Sequence, residues 1–238
     1  MHRPSFLLAL TGAGLASAQG FSSECTDISL TDNWLVATCP TGSGSSITSS
    51  VFLNNKIVNN NGNLEWVENG RFLGSCVDCA VSSGVLSCTC RGNFNPNVAA
   101  SLNLEEHISN YAGHLLSNQT GPITTIPPDS SVPVPSSFDL SLSLVAPFLG
   151  TDCSRAGAIL GLNNPQPCYY INPGGVGTVQ YSAGIQSGNQ GWEIVAYEDP
   201  ECTSEPVYTF TAGDEGVCVA FQPYAAAFGV RPLWNADY

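Results

Sequence analysis

The sequence predicts an all-β chain: a tandemly repeated N-terminal β domain, a Pro/Ser/Thr linker, and a small disulfide-bonded β-sandwich or barrel. Three observations carry this. Residues 21–66 align without a gap on residues 72–117 at an offset of 51, and 12 of those 46 pairs are identical. Unrelated stretches of ordinary composition would share roughly three. In each repeat two cysteines bracket a pair of alternating apolar/polar runs, and after residue 137 such runs recur between Gly-, Pro- and Asn-rich clusters.

The identical pairs include Cys25/Cys76, Leu35/Leu86, Cys39/Cys90, Ile57/Ile108 and Leu64/Leu115. A repeated unit that cannot bury its own apolar face must pair with its twin, so residues 19–117 are expected to be one domain of two repeats.

Residues 1–18 have the pattern of a secretory signal. Arg3 gives the positive start, Phe6 to Ala16 the apolar run, and Ala16-Ser17-Ala18 the small-residue cleavage site. The mature chain is expected to begin at Gln19 and to be soluble and extracellular. Ten cysteines, an even number, fit an oxidising compartment.

In repeat one, Asp27–Leu30 and Trp34–Ala37 form a hairpin turning at Thr31-Asp32-Asn33. Repeat two builds its equivalent between Cys76 and Cys90, turning at Ser82-Ser83-Gly84. At the offset, Cys79 replaces Ile28 and Cys88 replaces Ala37, so two thiols stand where repeat one places a cross-strand apolar pair. The pairings inferred are Cys25–Cys39, Cys76–Cys90 and Cys79–Cys88. A four-thiolate zinc site is the alternative, but repeat one keeps the outer pair and lacks the inner one, which disulfides explain and four ligands do not. No metal is expected. A further strand follows each hairpin, then the phrase Leu53–Gly62 or Leu104–Gly113, opening as a short helical turn and reversing at the glycine.

Residues 118–137 interrupt the pattern with Pro122, Pro127, Pro128, Pro133 and Pro135, a semi-extended linker. Asn118-Gln119-Thr120 is an N-glycosylation sequon, making Asn118 a surface-glycan candidate. Residues 138–238 are expected to form a second β domain of unknown function, with strands at Leu140–Leu144, Gly177–Tyr181, Trp192–Tyr197, Val207–Thr211 and Val217–Phe221. Cys153–Cys168 and Cys202–Cys218 are the economical pairings, though spacing leaves two other connectivities open. Glu193–Asp199 resembles secreted βγ-crystallin-like domains over those few residues.

Six basic residues fall to five without Arg3, against 19 acidic ones, which gives −14 for the mature chain. Nucleic acid and anionic membranes are therefore poor partners. No nucleophile elbow appears, and His107 and His114 read as surface variation. Glu105 and Glu106 are adjacent, so they diverge rather than face one bond. The expectation is no catalytic residue, no cofactor and no enzyme.

These features resemble the cyanovirin-N homology family, filamentous-fungal type, over residues 19–117. The carriers are the Phe-Ser-x-x-Cys opening at Phe21, the phrase Leu-x-x-x-Ile-x-Asn-x-x-Gly-x-Leu in both repeats, and the inner cysteine pair. The resemblance implies a pseudo-twofold β lectin with strands exchanged between repeats and pockets for mannose-rich glycans at opposite ends. One pocket falls on Asn59, Asn61, Arg71, Ser75, Arg91, Asn93 and Asn95, with Asn61 where the family often has Asp. The other falls on Ser23, Glu24, Thr41, Asn110, Tyr111 and Ala112, where Ala112 removes an acidic acceptor and Pro40 follows the cysteine. The first pocket is the favoured one. The plainer reading of Asn59, Asn61 and Gly62 is a tight turn, because Asn tolerates the left-handed region.

The implied function is a secreted lectin for mannose-type oligosaccharides or glycoproteins, cell-wall mannan among them. The alternative is a disulfide-stapled structural or interaction protein without sugar affinity. A monomer is expected, with a domain-swapped dimer through Val67–Arg71 as the other arrangement.

Overall fold

The computed structural model describes residues 20–93, 97–171, 180–187 and 191–238. The signal segment, Asn95, and the start of the strand expected at Gly177 lie outside the described residues. Repeat one contains β1 (Thr26–Thr31), β2 (Trp34–Pro40), β3 (Ser46–Phe52), β4 (Ile57–Asn60) and β5 (Asn63–Trp66). Repeat two contains β6 (Cys76–Ser82), β7 (Val85–Cys90), β8 (Val98–Asn103), β9 (Ile108–Tyr111) and β10 (His114–Ser117). The first hairpin of each turns through two left-handed residues, Asp32 and Asn33 (φ 46° and 74°) or Ser83 and Gly84 (φ 49° and 74°). That double left-handed turn matches the twist of the flanking strands.

Neither repeat has a core of its own. Phe21 and Phe72, Leu35 and Leu86, Leu53 and Leu104, Ile57 and Ile108, and Leu64 and Leu115 all pack in one cluster. The exchange is visible in mirrored hydrogen bonds. Ser22 N donates to Glu105 Oε1 (3.1 Å) and, 51 residues on, Leu73 N donates to Asn54 Oδ1 (3.2 Å). The opening turn of each repeat is thus capped by the phrase of the other.

Residues from 138 onward form a β-sandwich with β11 (Leu140–Val145), β12 (Ala158–Leu162), β13 (Gln166–Tyr170), β14 (Gln180–Ser187), β15 (Trp192–Tyr197), β16 (Pro206–Phe210), β17 (Cys218–Ala225) and β18 (Ala227–Pro232). The sheets run β12-β11-β14-β17 and β13-β18-β15-β16. Leu142, Leu144, Ile194, Phe210, Phe221 and Phe228 fill the space between them.

The three disulfides inferred for the repeats are present. The two economical pairings of the second half are not: the bonds are Cys153–Cys218 and Cys168–Cys202. Cys218 opens β17, which lies beside β14, and the short turn carrying Cys153 folds onto the same sheet. Sheet order, rather than nearness along the chain, sets the partners. The closed loops have sequence separations of 65 and 34 residues. By the chain-entropy model each contributes about 4 kcal/mol, against about 3 for the hairpin bridges.

The two cores meet in an aromatic group drawn from distant parts of the chain. Trp34, at the start of β2, stacks on Phe138 with ring centroids 5.1 Å apart and meets Trp192 and Trp234 edge-on. Its indole N–H donates to the carbonyl of Asn163 (3.0 Å), and that of Trp234 donates to Ser50 Oγ (3.0 Å). A final strand, β19 (Ala236–Asp237), then pairs parallel with β3, Ala236 opposite Ser50. Residues 118–137 contain no strand or helix, yet they are tied down. Ser130 N donates to Asn235 Oδ1 (2.7 Å), and Asp129 reaches His114 Nε2 (2.9 Å).

His114 therefore corrects the surface reading: it is 2% exposed, because the proline-rich segment closes over it. His107 is half-buried and stacks flat on Trp66 across the repeat boundary, centroids 4.6 Å apart.

Candidate functional site

The repeated phrase places one asparagine at each end of the pseudo-twofold unit, and both do the same work. Asn59 Oδ1 accepts from Gly62 N (2.7 Å), while Asn59 Nδ2 donates to Ser75 Oγ (2.8 Å) and to the carbonyl of Arg91 (2.9 Å). Asn110 Oδ1 accepts from Gly113 N (2.7 Å), while Asn110 Nδ2 donates to Glu24 Oε2 and to the carbonyl of Pro40 (both 3.0 Å). Subtracting 51 from Ser75 and Arg91 gives Glu24 and Pro40, so the constellations are equivalent position by position. Each asparagine closes its own turn and clamps it to the residues flanking the outer disulfide of the other repeat.

The turns need left-handed backbone. Asn61 (φ 53°) and Gly62 (φ 92°) supply it at one end, Ala112 (φ 51°) and Gly113 (φ 96°) at the other. Any Cβ on Gly62 would lie 2.3 Å from the Val98 side chain, and one on Gly113 would lie 2.4 Å from Ile47. Glycine is required at both by φ and by contact.

Of the residues assigned to the favoured pocket, Asn59, Ser75 and Arg91 form one hydrogen-bonded group, and Asn61 Oδ1 accepts from Asn93 N (2.5 Å) beside it. Arg71, Arg91, Asn61 and Asn93 are exposed. Arg71 precedes the turn Phe72–Gly74 that leads to Ser75, and among the described residues no side-chain hydrogen bond ties it to the group. Asn95 lies outside the described residues. At the other end Glu24, Asn110 and the Pro40 carbonyl are joined. Thr41 Oγ1 turns instead into its own loop, sharing hydrogen bonds with Ser43 Oγ (2.7 Å) and Ser45 Oγ (2.8 Å). Ser23 Oγ is held by the carbonyl of Gly20 (2.9 Å), and Tyr111 lies in β9 opposite His114.

The ends thus share a frame and differ in what it presents. At the first, the Asn61 amide group NH2, the Asn93 side chain and the Arg91 guanidinium have no partner among the described residues. At the second, the equivalent of Asn61 is Ala112, which carries no polar group. Asn59 and Asn110 spend both amide hydrogens and the carbonyl internally. They clamp the two turns to the opposite repeat, a role the 51-residue offset makes visible once partner positions are subtracted. The carbonyls of Arg91 and Pro40 were missed because backbone groups leave no trace in residue type.

The family model described as the CVNH domain matches residues 21–116. The CVNH protein of Gibberella zeae is similar at 28% identity over 41% of this chain and 95% of its own, with a TM-score of 0.37. Microvirin, solved as a mannobiose complex, is similar at 25% over 40% of this chain and 95% of its own (TM-score 0.36). A MoCVNH3 variant, solved with (N-GlcNAc)4, is similar at 23% over 42% of this chain and 98% of its own (TM-score 0.40).

Proposed function

We propose that this protein uses its N-terminal segment, a CVNH domain over residues 21–116, to bind neutral oligosaccharides of the mannose type at the Asn59 end, outside the cell. The observation that supports this reading is the division of labour at that end. Asn59 spends both amide hydrogens and one acceptor bond in fixing the turn, and Asn61, Asn93 and Arg91 stand exposed beside it on a rigid frame. Sugar hydroxyls both donate and accept, and amide side chains meet them without a charge to desolvate. A frame whose internal bonds are already made loses little freedom when the ligand arrives. The Ala112 end lacks the equivalent polar tip and is read as inactive. Five disulfides and the signal-like residues 1–18 support secretion.

A glycan array on the secreted full chain tests the reading, run beside an Asn61→Ala, Asn93→Ala double variant in which Asn59 is left intact. Binding to mannose-rich glycans that falls about 100-fold in the variant is the expected result, with the melting temperature lowered only slightly, because alanine tolerates the φ of 53° at position 61 less well than asparagine. Silence across the array from protein with all five disulfides formed overturns it.

A further inference from the structure

The Trp66–His107 stack has a mirror position, and the mirror is open. Shifting by 51 turns Trp66 into Ser117 and His107 into Lys56. There no rings meet; instead Asp237 inserts, its Oδ2 accepting from Ser117 N (2.6 Å) and its Oδ1 lying 3.4 Å from Lys56 Nζ. Beside them is a cavity of about 330 Å³ walled by both repeats, by Gln119, Thr120, Ile123 and Thr125, and by Asp237 and Tyr238, the last half exposed.

The wall of this cavity is short of hydrogen-bond partners in both senses. The Lys56 side chain is 3% exposed, and among the described residues its ammonium has two partners, Asn55 Oδ1 and Asp237 Oδ1, each at 3.4 Å. An ammonium has three hydrogens to give. Gln119 Oε1 is buried and accepts no hydrogen bond among the described residues. Buried polar groups are nearly always satisfied, so a site with a spare donor and a spare acceptor is complementary to groups that offer both. Glu68 and Asp237 outweigh Lys56 along the wall, leaving a net local charge of −1 that repels anions.

We infer that this junction is a further binding site for a neutral sugar unit, distinct from the two ends of the repeat unit. The hydroxyls would engage Lys56 and Gln119, and the apolar face of the sugar ring would lie against Tyr238. Because Gln119 and Thr120 belong to the sequon of Asn118, the sugar has two sources: a free oligosaccharide or the chain's own N-linked glycan. The inference does not depend on the Asn59 end.

The test is an NMR titration of the full chain carrying Asn61→Ala and Asn93→Ala, which silences the end site. The probes are mannobiose, chitobiose, cellobiose and trehalose, each added to protein with Asn118 intact and to its Asn118→Gln form. Expected are shifts confined to residues 55–69, 116–125 and 237–238, weakened about tenfold or more by Gln119→Leu and separately by Tyr238→Ala. Gln119→Leu removes an unsatisfied acceptor, so its melting temperature should hold or rise and the loss cannot be assigned to unfolding. Shifts in both forms assign the site to free sugar, and shifts only after Asn118→Gln assign it to the chain's own glycan. No shift with any probe in either form, or shifts indifferent to Gln119→Leu and Tyr238→Ala, would overturn the site.

Discussion

The Asn59 and Asn110 ends share the same frame and present different chemistry from it. Both use an asparagine to close a turn and grip the opposite repeat, with bond lengths that agree within about 0.2 Å. At one end the tip of the turn is Asn61 and the clamped carbonyl belongs to Arg91, whose N–H also donates to the Ser75 carbonyl (2.8 Å). At the other the tip is Ala112, and Pro40 has no N–H to give. Duplication preserved what holds the fold and released what faces solvent. At these two ends identity between the repeats marks the frame, and the differences fall at the tips that face solvent.

The strongest way to break the equivalence is at the hairpin. Trp34 and Val85 occupy matching positions, but Trp34 is fully buried among Phe138, Trp192 and Trp234. Trp34→Ala should cost about 3–5 kcal/mol in chemical denaturation, whereas Val85→Ala, half-buried, should cost about 1. Equal losses would mean that the aromatic junction adds nothing to stability. The same junction predicts that residues 19–117 expressed alone expose Trp34 and Phe52 and self-associate, which light scattering would report.

The shared frame should fail symmetrically. Asn59→Ala and Asn110→Ala each strand a turn N–H and two flanking partners, so each should cost about 2–3 kcal/mol, and the two should agree within about 0.5. Agreement would show that the two clamps contribute equally to the fold. A stability loss confined to one end would show that the turns are not equivalent in energy.

A smaller effect should sharpen the difference. Ala112 holds φ 51°, which asparagine tolerates better than alanine. Ala112→Asn should raise stability by about 0.5 kcal/mol in a thermal melt and place a polar tip at the second end. A second sugar equivalent in calorimetry would then show that this tip alone separates the two ends.

The smallest expected effect concerns acid, and it divides the halves. Asp199 is held well below the usual carboxylate range by hydrogen bonds, first from Ser204 and then from Thr203. Asp214 is lowered chiefly by the Thr211 N–H, with Tyr208 adding to it, and Asp152 by Ser154. A carboxyl whose pKa is lower folded than unfolded adds stability that is complete above the unfolded value of 3.8 and fades as the pH falls toward the folded one. The sandwich should therefore lose stability below about pH 4, and Asp199→Asn should flatten that slope. Melts between pH 5 and pH 2 followed by a probe in each half would check it; an unchanged slope in Asp199→Asn would remove the loop from the account.

The sequence by itself determined the duplicated half. The offset of 51 foretold the hairpins, the shared core and the three bridges of the repeats, because local spacing and alternation set them. It also marked Asn59 and Asn110, as sugar contacts, and the structure shows each clamping its turn to the opposite repeat. Only the tertiary structure decided the rest, since those features join residues far apart in sequence that carry no periodic signal. Cys153 met Cys218 because β17 lies beside β14. His114 was buried by residue 129, Trp34 by residues 138, 192 and 234, and Lys56 found its charge partner at residue 237. Pairings of that range are fixed by which faces remain apolar after each half has folded, and no single stretch of the chain records the answer.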